Sequence, residues 1–187
     1  MRVLLHICCG PCATYPVPRL REAGHEVRGF FFNPNIHPYQ EYQQRRRSVE
    51  VMAEALDLPL VVDGPYEPEG YFRAVVFREA QRCLACYSLR LERAAAVARR
   101  GKFEAFSTTL LVSPFQHHEL VRAVGESVGA RYGLPFLYED FRPGFRETVT
   151  RSRELGLYRQ QYCGCLFSEH ERFAGGRARR EKHGERS

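Results

Sequence analysis

Short apolar runs alternate along the chain with longer segments whose apolar residues recur at helical spacing. The apolar runs predict five strands, placed at Arg2–Ile7, Glu26–Phe32, Leu58–Val62, Ala105–Leu111 and Pro135–Tyr138. Helical periodicity predicts helices over Thr14–Ala23, Tyr39–Leu56, Tyr71–Ala80, Cys83–Arg100 and Gln116–Tyr132. Strands that alternate with helices are typical of a parallel sheet with helices on both faces. We therefore predict a single α/β domain whose functional loops, cysteine clusters included, gather at the carboxyl ends of the strands.

A length of 187 residues with 44% hydrophobic residues suits one domain with a real core. We assign residues 1–174 to this domain and residues 175–187 to a basic tail that we expect to be flexible. The longest apolar stretches are too short to cross a bilayer, and the N-terminal run is not a signal peptide. We therefore expect no membrane association and a cytoplasmic location.

The net charge of +6 is concentrated near the end of the chain. From residue 141 onward there are 11 Lys and Arg residues against 6 Glu residues. Such a concentration of positive charge suits a polyanionic partner, and nucleic acid before a membrane. The competing interpretation is a solvated basic tail with no specific partner.

All seven cysteines fall into three short clusters, which are Cys8-Cys9-Gly-Pro-Cys12, Cys83-Leu-Ala-Cys86 and Cys163-Gly-Cys165. Cysteines clustered in this way in a cytosolic protein favour metal binding or redox catalysis over structural disulfides. Buried cysteines that only pack as small apolar side chains are usually scattered along a chain. The pattern therefore predicts sulfur chemistry.

Four thiolates gathered from two clusters can hold a [4Fe–4S] cluster or a tetrahedral zinc ion. Cys8, Cys9, Cys83 and Cys86 would supply such a set, and the adjacent Cys8-Cys9 pair favours iron–sulfur over a usual zinc knuckle. Cys163 and Cys165 could close a strained, redox-active disulfide, because the glycine between them permits unusual dihedral angles. They could equally be two further metal ligands. Cys12 is left to bind a second metal, to resolve a disulfide or to pack.

The loop after the first predicted strand offers one glycine followed by a proline, at Gly10 and Pro11. Neither a Gly-x-Gly-x-x-Gly nor a Gly-Lys-Ser/Thr motif occurs in the chain. This absence disfavours a nucleotide-hydrolysing enzyme and an ATP-dependent tRNA thiolase.

Five motifs, in this order, resemble the cobalamin-independent epoxyqueuosine reductases of the QueH type. They are His6–Cys12, Phe32–Pro38, Arg82–Leu91, Ser107–Pro114 and Gly156–Cys165. The resemblance runs from about Arg2 to Phe167. A single Cys-x-x-Cys motif is weak evidence, whereas five motifs in the family's order are highly specific.

The resemblance implies reduction of the epoxide of epoxyqueuosine at the wobble nucleotide of a tRNA, the last step of queuosine biosynthesis. It implies an adenine-nucleotide hydrolase-like fold and an electron donor that the sequence does not identify. It also implies a [4Fe–4S] cluster, a redox-active cysteine pair and an additional mononuclear iron. The cluster ligands would be Cys8, Cys9, Cys83 and Cys86, the redox pair Cys163 and Cys165, and the candidate ligands of the additional iron Cys12, Cys163 and Cys165.

Further roles follow from what this chemistry requires. Protons for the release of water could come from Asp140, His6, His37 or Tyr162. Phosphate contacts could come from Arg45–Arg47 and the C-terminal arginines, and the flipped base could stack on Tyr39, Phe115 or Tyr158. The alternative function is a zinc-stabilised nucleic-acid-binding protein without redox activity.

Overall fold

Four parallel strands form the centre of the computed structural model, which describes residues 1–174. The strands are β1 (Arg2–His6), β2 (Glu26–Phe31), β3 (Leu60–Val62) and β4 (Ala105–Thr108). Their order in the sheet is β3–β2–β1–β4, with β1 paired to both β2 and β4. Because all pairs are parallel, the carboxyl ends of the strands meet along one edge of the sheet.

Helices connect the strands and cover the sheet. They are α1 (Gly10–Ala13), α2 (Pro16–Glu22), α3 (Tyr39–Ala55), α4 (Glu69–Val75), α5 (Arg82–Arg100), α6 (His118–Tyr132), α7 (Phe145–Glu154) and α8 (residues 166–174). Three short 3-10 turns lie at Glu79–Gln81, Thr109–Val112 and Arg142–Gly144. None of the helices in residues 1–174 has the length and apolar character needed to span a membrane.

Both faces of β1, one of the two inner strands, are fully covered. Val3, Leu4 and Leu5 follow one another in β1 and all have no exposed surface. Since successive side chains of a strand point to opposite faces, helices must pack on both sides of the sheet. The predicted α/β architecture is therefore confirmed.

The helix predicted at Thr14–Ala23 corresponds to α2, which begins at Pro16 and ends at Glu22. The short helix α1 (Gly10–Ala13) lies before that range, and the sequence pattern does not predict it. A proline has no backbone N–H, so it begins a helix readily but cannot continue one.

The predicted fourth and fifth strands are shorter than expected. The strand expected to run to Leu111 ends at Thr108, whose side-chain oxygen accepts a 3.2 Å hydrogen bond from the Leu110 amide and starts a 3-10 turn. The strand expected at Pro135–Tyr138 is reduced to one bridge between Phe106 and Phe136. The domain boundary at residue 174 stays a prediction, and the tail at 175–187 lies outside the described residues.

Helix α1 is held close to α3. A Cβ atom at Gly10 would lie 2.3 Å from the backbone oxygen of Ser48, so only glycine allows this approach. The close contact fixes the cysteine-bearing turn after β1 against the middle of α3.

Candidate metal and redox centre

Three cysteine thiols converge where the chain leaves β1. Cys8, Cys9 and Cys12 are buried, and their sulfur atoms all lie within 4.8 Å of one another. Within residues 1–174 this is the one group of three or more possible metal-ligating side chains that come so close together. Three soft thiol ligands in a compact group suit zinc, iron or an iron–sulfur cluster. We call these three residues the first thiol group.

Interactions within the first thiol group give its three thiols different pKa values. Hydrogen bonds from the thiols of Cys12 and Cys9, and from the Thr109 hydroxyl, hold the pKa of Cys8 well below its usual range. The same hydrogen bond to Cys8 raises the pKa of Cys12, and burial raises that of Cys9. The group is therefore arranged to place negative charge on Cys8 first.

Cys83 and Cys86 lie in the first turns of α5, close to the Cys163-Gly-Cys165 loop. Cys86 and Cys165 are buried in one small apolar cluster with Tyr71 and other side chains. Burial raises the pKa of Cys83, and the nearby charge of Cys163 adds to this effect. We call Cys83, Cys86, Cys163 and Cys165 the second thiol group; Cys163 is its exposed member.

A buried guanidinium contacts the second thiol group and acts electrostatically on Cys8 of the first. Arg90 is only 2% exposed and donates a 3.1 Å hydrogen bond to the Cys86 sulfur. Burial alone would lower the pKa of Arg90, but the negative charges of Cys86, Cys163 and Cys8 raise it. Arg90 takes part in no ion pair with a carboxylate among the residues that the structure describes. The groups that lie beside this buried cation are therefore cysteine sulfurs rather than carboxylates.

A second buried arginine holds the Cys163-Gly-Cys165 loop in place. Arg45 is 1% exposed and pairs with Glu41, one helical turn earlier in α3, at 2.7 Å. Its two terminal nitrogens donate hydrogen bonds to the backbone oxygens of Cys163 and Tyr162, at 2.7 and 2.9 Å. The Tyr158 hydroxyl donates to the other carboxylate oxygen of Glu41 at 2.5 Å. The segment from Tyr158 to Cys163 is therefore attached to α3 at both ends.

Gly164 adopts a backbone conformation that favours glycine. Its φ angle is +145°, and its carbonyl accepts a 2.7 Å hydrogen bond from the His37 amide. A Cβ atom at this position would lie 3.2 Å from both Arg45 Nη1 and Ile36 Cγ1. The loop can therefore turn between its two cysteines only with a glycine at this position.

A cavity of about 430 Å³ opens beside both thiol groups. Its lining includes Cys8 and Cys12 of the first group and Cys163 of the second. Two glutamines reach the sulfurs from its wall. Gln160 Nε2 donates to Cys9 Sγ at 3.0 Å, and Gln116 Nε2 donates to Cys163 Sγ at 3.3 Å. The volume is in the range of small-ligand sites.

The family model described as "Epoxyqueuosine reductase QueH" matches residues 3–171. The chain belongs to this family. Relatives named epoxyqueuosine reductase QueH include one from Thermotoga maritima, 40% identical over an alignment of 193 positions, which covers 98% of this chain and 94% of that protein. Another, from Dehalococcoides mccartyi, is 36% identical over 172 residues, which cover 92% of this chain and 94% of that protein. Because the name is that of an oxidoreductase, the prediction of an enzyme is confirmed.

A solved structure with a similar fold is a predicted subunit of tRNA methyltransferase from Methanocaldococcus jannaschii. It aligns with a TM-score of 0.57 at 12% identity, over 82% of this chain and 75% of that chain. So low an identity shows the fold alone. The predicted single α/β domain with a parallel sheet is thus confirmed for this QueH family member.

The candidate proton donors of the QueH family member lie in very different places. Asp140 lines a separate surface hollow, and its hydrogen bonds with Arg142 lower its pKa to about 2. His6 and His37 are buried, and burial lowers the pKa of each to about 4. The Tyr162 hydroxyl donates to the His37 backbone oxygen, and burial raises its pKa. Asp140 therefore lies away from the thiol-lined cavity, and His6 and His37 are held in the interior. Tyr162 does line the cavity, with its hydroxyl bound to the His37 backbone oxygen.

The arginine run of α3 divides between the interior and the surface. The expectation of a phosphate contact is wrong for Arg45, which is buried in the contacts described above. Arg46 is partly exposed and pairs with Glu50, whereas Arg47 is exposed. Only the last two residues of the run could meet a nucleic acid.

Sequence reasoning missed Arg90, Gln116 and Gln160. Only helical spacing could have revealed Arg90, which lies one turn after Cys86 and so faces the same side of α5. No local pattern signals the two glutamines, because each reaches a cysteine that is distant in the chain.

Proposed function

We propose that this chain reduces epoxyqueuosine to queuosine at the wobble position of tRNA. The observation that supports this function best is the cavity in which Cys8, Cys12 and Cys163 meet. It combines a thiol-lined wall with space for a nucleoside, in a chain of the epoxyqueuosine reductase family. The name of the related enzymes indicates the substrate, and the cavity offers a place for it.

The reaction needs two electrons and two protons for each epoxide. The epoxide oxygen leaves as water, its two carbons become an alkene, and both C–O bonds are broken. A dithiol at Cys163 and Cys165 that closes to a disulfide releases two electrons and two protons, which balances the reaction. The disulfide must then be reopened by an external reductant that delivers two electrons per turnover.

The environment of Cys163 suits the accessible member of such a pair. It is the exposed cysteine of the second thiol group and lines the cavity. Gln116 donates to its sulfur, and the Tyr87 hydroxyl fixes Gln116 from behind by a 2.8 Å hydrogen bond to Oε1. Arg45 fixes the backbone of Cys163. The thiol is therefore oriented from two sides before a substrate arrives.

The donor atoms also fit an iron–sulfur cluster. Both thiol groups are rich in soft ligands, and the buried Arg90 guanidinium offers compensating positive charge beside them. We propose Cys8, Cys9, Cys83 and Cys86 as the ligands of a [4Fe–4S] cluster, which when bound supplies electrons one at a time. Cys12 would then be free to hold an additional mononuclear iron, a Lewis acid for the epoxide oxygen.

A rival ligand set follows from the packing of the second thiol group. Cys86 is buried against Cys165, and the charges of Cys163 and Cys165 both act on Cys83 and Cys86. Those four cysteines could hold the cluster, leaving Cys8, Cys9 and Cys12 for a second metal. The two sets differ in whether Cys163 and Cys165 are ligands.

Metal analysis of cysteine variants separates the two sets. Protein purified without oxygen is assayed for iron and acid-labile sulfide in the Cys9→Ser and Cys165→Ser variants. If the proposed set is right, Cys9→Ser loses sulfide and Cys165→Ser keeps it. If the rival set is right, the losses are reversed. Zinc without sulfide in the unaltered protein would contradict both and favour a zinc-stabilised nucleic-acid-binding protein.

The activity itself is tested by nucleoside mass spectrometry. A strain that lacks other epoxyqueuosine reductases is supplied with this chain or with its Cys163→Ser variant. We expect queuosine in tRNA with the unaltered chain and retained epoxyqueuosine with the variant. Epoxyqueuosine that persists with the unaltered, metal-loaded protein would refute the function. Because tRNA is modified in the cytoplasm of bacteria, we also propose a cytoplasmic location.

A further inference from the structure

An exposed phenylalanine stands at the mouth of the thiol-lined cavity. Phe115 is 83% exposed, although a large aromatic side chain is normally buried. It is one of the cavity-lining residues, together with Cys8, Cys12 and Cys163. Its backbone amide donates to the Ser113 hydroxyl at 3.3 Å, which tightens the turn that presents the ring. An apolar ring held in water beside a reaction site points to a ligand that covers it.

A second phenylalanine supports this ring from the side. Phe145, at the start of α7, also lines the cavity, and its ring centroid is 5.8 Å from that of Phe115. The two ring planes meet at 82°, an edge-to-face contact. Such a contact restrains the orientation of Phe115 while leaving most of its surface open.

The other aromatic candidates are already engaged elsewhere. Tyr39 stacks on Tyr42 and packs at a tilt against Tyr66, and none of the three lines the cavity. The Tyr158 hydroxyl is bound to Glu41, and its ring faces a different hollow. Of the three candidates for base stacking, only Phe115 combines an open ring with a place at the cavity.

We propose that Phe115, supported by Phe145, is the platform on which the base of the substrate nucleotide stacks. This assignment rests on the proposed function. A wobble base must leave the anticodon stack for its side chain to reach the thiols, and aromatic rings commonly receive such extruded bases. Stacking does not depend on the identity of the base, because every base has a π face. The platform therefore holds the base, and the cavity behind it receives the epoxide-bearing substituent.

The test compares two anticodon stem-loop RNAs, without turnover. One carries epoxyqueuosine at the wobble position and the other is abasic there. Dissociation constants are measured for the unaltered metal-loaded protein and for Phe115→Ala, Phe115→Trp and Phe77→Ala. Phe77 is the matched control, because it is 93% exposed but does not line the cavity.

We expect Phe115→Ala to weaken binding of the base-containing RNA by roughly 10- to 100-fold and to leave binding of the abasic RNA unchanged. Phe115→Trp restores most of the affinity, and Phe77→Ala changes neither dissociation constant. The platform is refuted on its own if the unaltered protein prefers the base-containing RNA and Phe115→Ala keeps that preference. If the unaltered protein does not distinguish the two RNAs, the proposed substrate fails and the platform fails with it.

Discussion

The guanidinium of Arg45 donates a 2.7 Å hydrogen bond to the backbone oxygen of Cys163, a residue 118 positions further along the chain. A charged side chain thus links the middle of α3 to the exposed thiol of the cavity. The Glu41 carboxylate compensates the positive charge of Arg45 and accepts a hydrogen bond from it. Arg45 is therefore the residue that determines where the Cys163-Gly-Cys165 loop lies.

Arg45→Met should be strongly destabilising. It leaves the Glu41 carboxylate buried without a cation, and breaking a buried pair in this way costs about 3–5 kcal/mol. Arg46→Met is the matched control, since Arg46 pairs with Glu50 at the surface and such a pair contributes about 0.3–0.5 kcal/mol. Denaturant unfolding of both variants measures the difference. Equal losses would show that Arg45 does not hold the loop.

Gly164→Ala should impair reduction more than it lowers stability. A side chain at φ +145° is strained by about 1–3 kcal/mol, and its Cβ would press on Arg45 Nη1. Both effects should displace the backbone carbonyls of Tyr162 and Cys163 that Arg45 holds. Gly70→Ala is the control, because nothing lies within 4 Å of a Cβ there. Single-turnover reduction and unfolding free energy are compared; unchanged turnover in Gly164→Ala would contradict the prediction.

Arg90→Met should make reduction of the proposed [4Fe–4S] cluster less favourable. The Arg90 guanidinium is hydrogen-bonded to Cys86 and interacts electrostatically with Cys8 and Cys163. Removing a buried positive charge disfavours any state that carries an added electron. We expect a more negative reduction potential in Arg90→Met, and an intermediate one in Arg90→Lys. A redox titration followed by EPR measures both, and an unchanged potential in Arg90→Met would show that the charge does not act on the centre.

Acid should destabilise the fold through His37. Its ring packs against Tyr71 and Phe72, and neither ring nitrogen is hydrogen-bonded within the described residues. Burial lowers its pKa to about 4, whereas a free histidine has a pKa of about 6.5. The unfolded chain therefore takes up the proton first, and stability is lost as the pH falls from about 7 through 4.

The size of this effect is measurable. We expect His37 to remove at most about 2 kcal/mol of unfolding free energy between pH 7 and pH 5. His37→Phe, which keeps an aromatic ring without a titratable nitrogen, should flatten that part of the stability profile. A profile as steep as that of the unaltered protein would assign the acid sensitivity to other groups.

Most helices and strands could be predicted from local pattern alone. The helix expected at Cys83–Arg100 differs from α5 by one residue, because its apolar spacing is regular and Gly101 follows its end. The extent of the fifth strand could not be predicted from local pattern. Pro135 has no N–H for a ladder, so only Phe106 and Phe136 pair.

The candidate centre was predictable in its chemistry but not in its grouping. Three clusters of cysteines indicate sulfur chemistry wherever they lie. Which thiols meet depends on the path of the segment before Cys163, and that path is set by Arg45. In sequence, Arg45 looks like part of a solvated charged face, although it lies one helical turn before the buried Val49.

The cavity is built from both ends of the described chain, since Cys8 follows the first strand and Cys163 precedes α8. During synthesis, the first thiol group leaves the ribosome while the segment that carries Cys163 has not yet been made. Until that segment is in place, the first thiol group stands open on the side that the loop later covers. The complete centre can therefore form only late, and an immature chain offers its first three thiols to any metal or oxidant that it meets.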